Sequence, residues 1–143
     1  MIALANARLE APTERVDLRR RGTRRYAEVA LARSAHALPD DRALLEAVYE
    51  RGVSAARVAA LMHQPPRLVR RRLRIVIERL MSDEAGFVLR HMREWEHPRR
   101  KVALSCILQG RSMRETARHL RMSLHTVRRE LNAIRALMLE EAR

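Results

Sequence analysis

An all-helical protein is predicted by three observations. Glycine is scarce, at 4 of 143 residues. Ala, Leu, Arg and Glu dominate, all good helix formers. No stretch alternates apolar and polar residues at the strand period, whereas apolar residues recur at helical spacing between turn-forming residues. Those turn residues are Pro12, Gly22, Pro39, Gly52, Pro65-Pro66, Gly86, Pro98 and Gly110.

The first helix is expected over 13–37, after Pro12, with an interruption near Gly22. The next, 40–51, follows Pro39 and stops before Gly52. A short helix over 54–63 opens on Ser54. Pro66 suits a first helical position and begins the helix over 66–80. A helix over 83–96 carries Phe87, Val88, Leu89, Met92 and Trp95, while 99–109 runs from Pro98 to Gly110. Two more cover 113–120 and 124–141, each after a serine.

The chain repeats with a register of 58 residues and no gap. Gly52 falls on Gly110, Ser54 on Ser112, Ala59 on Ala117, Val69 on Val127, Arg70-Arg71 on Arg128-Arg129 and Leu73 on Leu131. Met62 meets Leu120, and Val76 meets Ile134, as apolar pairs. Turn, core and surface positions all match, which two unrelated amphipathic helices would not produce. The expected organisation is a basic N-terminal helical arm (1–38), a first three-helix unit (39–81), a connecting helix (82–97) and a second unit (98–143). Their net charges are +4, +4, −2 and +7, so the connector is the one acidic part and looks like a packing or spacer helix.

The whole chain carries +13, and every basic residue except Lys101 is arginine. Such a charge favours a polyanion, nucleic acid first and an anionic membrane surface second. A single cysteine, Cys106, excludes an internal disulfide and suits a reducing cytoplasm. Its setting, "ALSCIL", points to a buried small apolar role. No apolar run reaches membrane-spanning length, and "MIALANARLE" is too short and too soon charged for a signal peptide. A cytoplasmic, nucleoid-associated protein is expected.

The segment "GRSMRETARHLRMSLHTVRREL" (110–131) carries the functional reading. Gly110 ends one helix. Ser112 caps the next, with Glu115 completing a capping box. Ala117 permits a close helix crossing, and Leu120 faces the core. A tight turn through Arg121 and Met122 leads to a second cap, Ser123, and a further helix with Val127, Leu131 and Ile134 inward. Two capped helices joined in this way form a helix-turn-helix. Its outer face carries His125, Arg128, Arg129, Asn132 and Arg135. Arginine suits guanine and asparagine suits adenine, while capped helix starts and flanking arginines hold phosphate. The candidate DNA-binding residues are therefore Ser112, Arg114, Ser123, His125, Thr126, Arg128, Arg129 and Asn132, with Arg67, Arg70, Arg71 and Arg74 at the matching helix of the first unit.

This segment resembles the helix-turn-helix of region 4 of bacterial sigma-70-type factors, and it is similar to LuxR-type DNA-binding domains. The shared positions are Gly110, Ser112, Glu115, Ala117, Leu120, Ser123 and Thr126-Val127-Arg128. The first copy, 38–73, departs from the pattern: Arg57 replaces the capping-box Glu, and Pro65-Pro66 replaces the second serine. The resemblance implies duplex DNA as partner, in a bacterial or phage transcription regulator. RNA polymerase and other transcription factors are further partners of such domains, so an adaptor or inhibitor is the alternative reading. A full sigma factor is not expected, since one Trp, one Phe and two Tyr leave nothing for a promoter-melting domain. The outer face of the helix over 66–80 looks unusually apolar, with Leu68, Ile75, Val76 and Ile77.

Enzyme chemistry is not expected. His91/His97 and His119/His125 are six apart and share no helix face, so no metal site is read. Glu94 and Glu96 point different ways, and no Gly-rich phosphate loop or nucleophile–base order is legible. No cofactor is expected. The run 18–25 serves equally as a solvated face or a phosphate-binding arm, whereas in the run 67–74 the helix-turn-helix context favours DNA contact for Arg70 and Arg71 over a solvated face. Monomer and homodimer both remain open.

Overall fold

The computed structural model describes residues 14–143, with side chains from Arg24 onward. No strand occurs among the described residues. The helices are α1 (Glu14–Arg33), α2 (Pro39–Leu45), α3 (Ala55–Leu61), α4 (Pro66–Leu80), α5 (Asp83–His91), α6 (His97–Val102), α7 (Met113–Leu120) and α8 (Leu124–Glu141). α1 passes Gly22 without interruption and is followed by a 3₁₀ turn, Ser34–His36. The expected interruption is therefore absent. Residues 1–13 of the expected arm, and the side chains of most of the 18–25 run, lie outside the described residues.

The chain divides into two compact units, 1–77 and 78–143. In the first, α2 begins at Pro39, in the position where a missing N–H costs nothing. It widens into a π-helical segment, Glu46–Glu50, and ends at Gly52. The first core includes Leu44, Leu45, Val48, Ala55, Val58, Ala59, Val69 and Leu73.

In the second unit, Ser82 caps α5 by accepting from the Ala85 N–H at 3.1 Å. α5 stops at His91, shorter than the helix expected over 83–96, and turns carry the chain to His97. α5 is built into this unit's core: its Ala85, Phe87 and Val88, with Trp95 from the turn that follows, bury with Val102, Ala103, Ile107, Leu108, Val127, Leu131 and Ile134. The Phe87 and Trp95 rings lie 5.9 Å apart. α6 widens into a π-helical segment, Ala103–Leu108.

The backbone follows the 58-residue register closely. Arg51 N–H donates to Glu46 O at 3.0 Å, and Gln109 N–H to Leu104 O at 2.9 Å. Val53 N–H reaches Ala47 O at 2.9 Å, and Arg111 N–H reaches Ser105 O at 3.0 Å. Between them sit Gly52 (φ +67°) and Gly110 (φ +74°), the left-handed residues that close each helix end. Left-handed non-glycine residues fall at His63 (φ 53°) and Arg121 (φ 54°), again in register.

Candidate nucleic-acid interface

The second unit assembles its surface from two caps and one turn. Ser112 Oγ accepts from the Glu115 N–H at 3.1 Å, and the Ser112 N–H donates to Glu115 Oε2 at 2.7 Å. Both halves of a capping box are thus present at the start of α7. The bonds from the Ser112 backbone, then its side chain, hold the Glu115 carboxyl below its ordinary range. At the far end of α7, Arg121 adopts the left-handed conformation, and Met122 N–H closes the turn on Ala117 O at 3.0 Å. Ser123 then caps α8, accepting from the Thr126 N–H at 3.1 Å.

This turn sets the phase of α8. Val127, Leu131 and Ile134 point into the core, Leu131 at 4% exposure. His125, Arg128, Arg129 and Asn132 are exposed on the other side. Thr126 is half-buried, its hydroxyl 2.9 Å from that of Ser123. Ser112, Arg114 and Ser123 are exposed. Arg129 lies 3.6 Å from Glu130, whose carboxylate also takes the Arg99 guanidinium at 3.0 Å. Arg135 is exposed but bonded to Glu84 at 3.1 Å, which ties it to α5. Ala117 and Leu120 pack against the core while keeping partial exposure.

In the first unit, Ser54 caps α3 by accepting from the Arg57 N–H at 3.2 Å, without a reciprocal carboxylate. Arg67, Arg70, Arg71 and Arg74 are all exposed along α4. Two expectations need correction. Met62 is 41% exposed and does not fill the crossing as Leu120's counterpart, although the same left-handed turn follows each of them. Val76 and Ile77 are buried, so the apolar outer face of α4 reduces to Leu68 and Ile75.

Several residues that organise these units gave no signal beforehand. Thr116 is fully buried, its Oγ1 2.9 Å from Ser105 Oγ and 3.1 Å from Cys106 Sγ. Cys106 is half-buried and packs against the core as expected, but its sulfur is also hydrogen-bonded, and burial pushes its thiol pKa up. Arg79 donates to Gln109 O at 2.9 Å, capping the end of the π-helical segment. Arg72 reaches Asp41 at 2.9 Å, the pair that joins α4 to α2. Residue type alone could have suggested these two arginines, but not their partners.

Among the described residues no helix is long and apolar enough to cross a membrane, and no group of three His, Cys, Asp or Glu side chains could hold a metal ion. Neither the curated proteins nor the solved structures include a match to this chain. A family model does match: residues 78–143, the same span as the second compact unit, fit the model described as ECF sigma factor. The second unit is thus similar to the region 4 helix-turn-helix of sigma-70-type factors, a DNA-binding, transcription-related module.

Proposed function

We propose that the protein is a sequence-specific, duplex-DNA-binding transcription regulator with two helix-turn-helix units, 39–81 and 98–143. The second unit is the main base reader. The observation that carries this reading is the exposed α8 face of His125, Arg128, Arg129 and Asn132, set behind a serine-capped N-terminus in the unit that fits the ECF sigma factor model. Placed in the major groove, such a face offers arginine forks to guanine and an amide to adenine. Ser112, Arg114, Ser123 and the helix start hold the flanking phosphates. Thr126 acts through its bond to Ser123, fixing the first turn. In the first unit Arg67, Arg70, Arg71 and Arg74 make an almost purely cationic face, which suits phosphate better than base edges. The shared left-handed turns and helix-end bonds 58 residues apart support reading 39–81 as a second copy.

A salt titration followed by site selection tests this. Affinity for duplex DNA should fall steeply with salt as phosphate contacts release counterions. Arg128→Ala or Arg129→Ala should cost about 1–3 kcal/mol and relax preference at one base pair. Arg70→Ala or Arg71→Ala should weaken all sequences alike and reduce the salt slope by about one per lost phosphate contact. No duplex binding at about 50 mM salt would sink the proposal. A changed motif in the Arg70 or Arg71 variants alone would make the first unit the reader.

A further inference from the structure

We propose that the Leu68–Ile75 face of α4 docks an acidic amphipathic helix of a partner protein. Leu68 and Ile75 are seven residues apart on one helix, so they lie almost directly in line. Each keeps 44% exposure. Leu61, at 73%, and Met62, at 41%, end α3 just before the turn into α4. Four large apolar side chains are therefore left to solvent within a span of fifteen residues. The positions 58 residues further on hold His119, Leu120, Thr126 and Ala133, where only Leu120 is large and apolar, and it packs on the core. The apolar bulk thus belongs to the first unit alone, and the helix-turn-helix geometry does not require it.

Helical spacing puts Arg71 on one flank of the stripe and Arg72 on the other. Arg71 is exposed, and Arg72, though bonded to Asp41, keeps 40% of its side chain open. An apolar stripe between cations complements a helix with apolar residues at i, i+3 or i+4 and i+7, and carboxylates beside them. Duplex DNA matches poorly, because the major groove offers aliphatic side chains little beyond thymine methyls. A second copy of this chain would bring the same arginines against themselves, at +13 per chain. Arg67, Arg70 and Arg74 lie further round α4; Arg71 alone is shared with the proposed phosphate face, so Leu68 and Ile75 separate this inference from the duplex reading.

The test uses the full chain and a fluorescently labelled synthetic peptide with leucines at helical spacing and glutamates elsewhere. The control is the same composition shuffled to break that spacing. The wild type should bind the ordered peptide, and the L68T/I75A variant, which installs the residues found 58 positions later, should bind about tenfold more weakly. Arg71→Glu should weaken it as well. Both variants change exposed positions, and circular dichroism verifies that they fold. Duplex affinity of L68T/I75A should equal that of wild type, so failure here is distinct from failure of the DNA proposal. Equal binding of the shuffled peptide, or unchanged binding by L68T/I75A, would overturn the inference. So would self-association of wild type lost in L68T/I75A, or binding to anionic phosphatidylserine vesicles lost in the same variant, since each names a different occupant.

Discussion

The two units fasten the same helix crossing with opposite polarity. In the first, an acid on α2 meets a base on α4: Asp41 and Arg72 lie 2.9 Å apart. In the second, a base on α6 meets an acid on α8: Arg99 and Glu130 lie 3.0 Å apart. Asp41 and Arg99 are 58 residues apart in the chain, and so are Arg72 and Glu130. Each crossing carries one such pair, with the sign reversed. A comparison of identities scores these positions as mismatches, although the contact is the same. The reversal also separates two otherwise similar helices. Exchanging α4 and α8 would set Arg72 against Arg99 and Glu130 against Asp41, and like charges at such sites oppose the wrong pairing.

The largest test of the parallel lies beneath these pairs. Leu73 is 5% exposed and Leu131 4%. Alanine at either should cost about 2–5 kcal/mol in chemical denaturation. A large loss at Leu131 with a small one at Leu73 would break the equivalence of the crossings. Next come the pairs themselves. Arg72→Glu sets two acids together, and adding Asp41→Arg should recover about 1–3 kcal/mol as a coupling energy in a double-mutant cycle. No recovery would mean that the crossing ignores charge.

The glycines should show a smaller contrast. Both hold positive φ, so alanine at either is strained by about 1–2 kcal/mol. A Cβ at Gly52 meets nothing within 4 Å, whereas one at Gly110 would lie 2.2 Å from Arg79 Cζ. The guanidinium must then leave Gln109 O, so Gly110→Ala should cost about 1 kcal/mol more than Gly52→Ala. Equal melting shifts for the two variants would remove that bond from the ledger.

The smallest effect depends on pH. Glu115 has its carboxyl pKa lowered by Ser112, whereas Arg57 stands at the matching cap and brings no carboxylate. A lowered folded-state pKa gives stability that is present above the unfolded value and lost as pH falls through the folded one. Glu115→Ala should therefore be less stable than wild type near neutrality and converge with it in acid. A gap between the melting curves that persists in acid would assign the effect to helix propensity instead.

Much of this architecture was legible because it rests on local chemistry. Ser112, Ser123 and Pro39 signal helix ends by their own side chains and Gly110 by lacking one, and the phase of Val127, Leu131 and Ile134 follows from spacing. The π-helical segments 46–50 and 103–108 were not legible, since each adds one residue to a turn without a residue type that demands it. The left-handed His63 and Arg121 were hidden for the same reason: neither is the glycine that usually marks that conformation. Thr116 reads as a surface residue of a charged helix until Ser105 and Cys106 are seen to meet it. Met62 was misplaced by its register with Leu120: the same left-handed turn follows both, yet only Leu120 packs on the core. On α8 the exposed residues are those that spacing selects, but the tie from Arg135 to Glu84 spans 51 residues and only the fold reveals it.

The Cys106 thiol turns this last kind of hidden contact into a clock. Alkylating reagents attack the thiolate, and a thiol with a raised pKa offers little of it. Its 3.1 Å contact with Thr116 couples the sulfur to α7, so labelling should quicken whenever α7 loosens from the segment beneath it. With one cysteine in the chain, every modification event reports from the same place. Anything that braces α7 from outside, a bound duplex included, should slow that reaction without touching the sulfur, and mass spectrometry of the intact protein can read the rate.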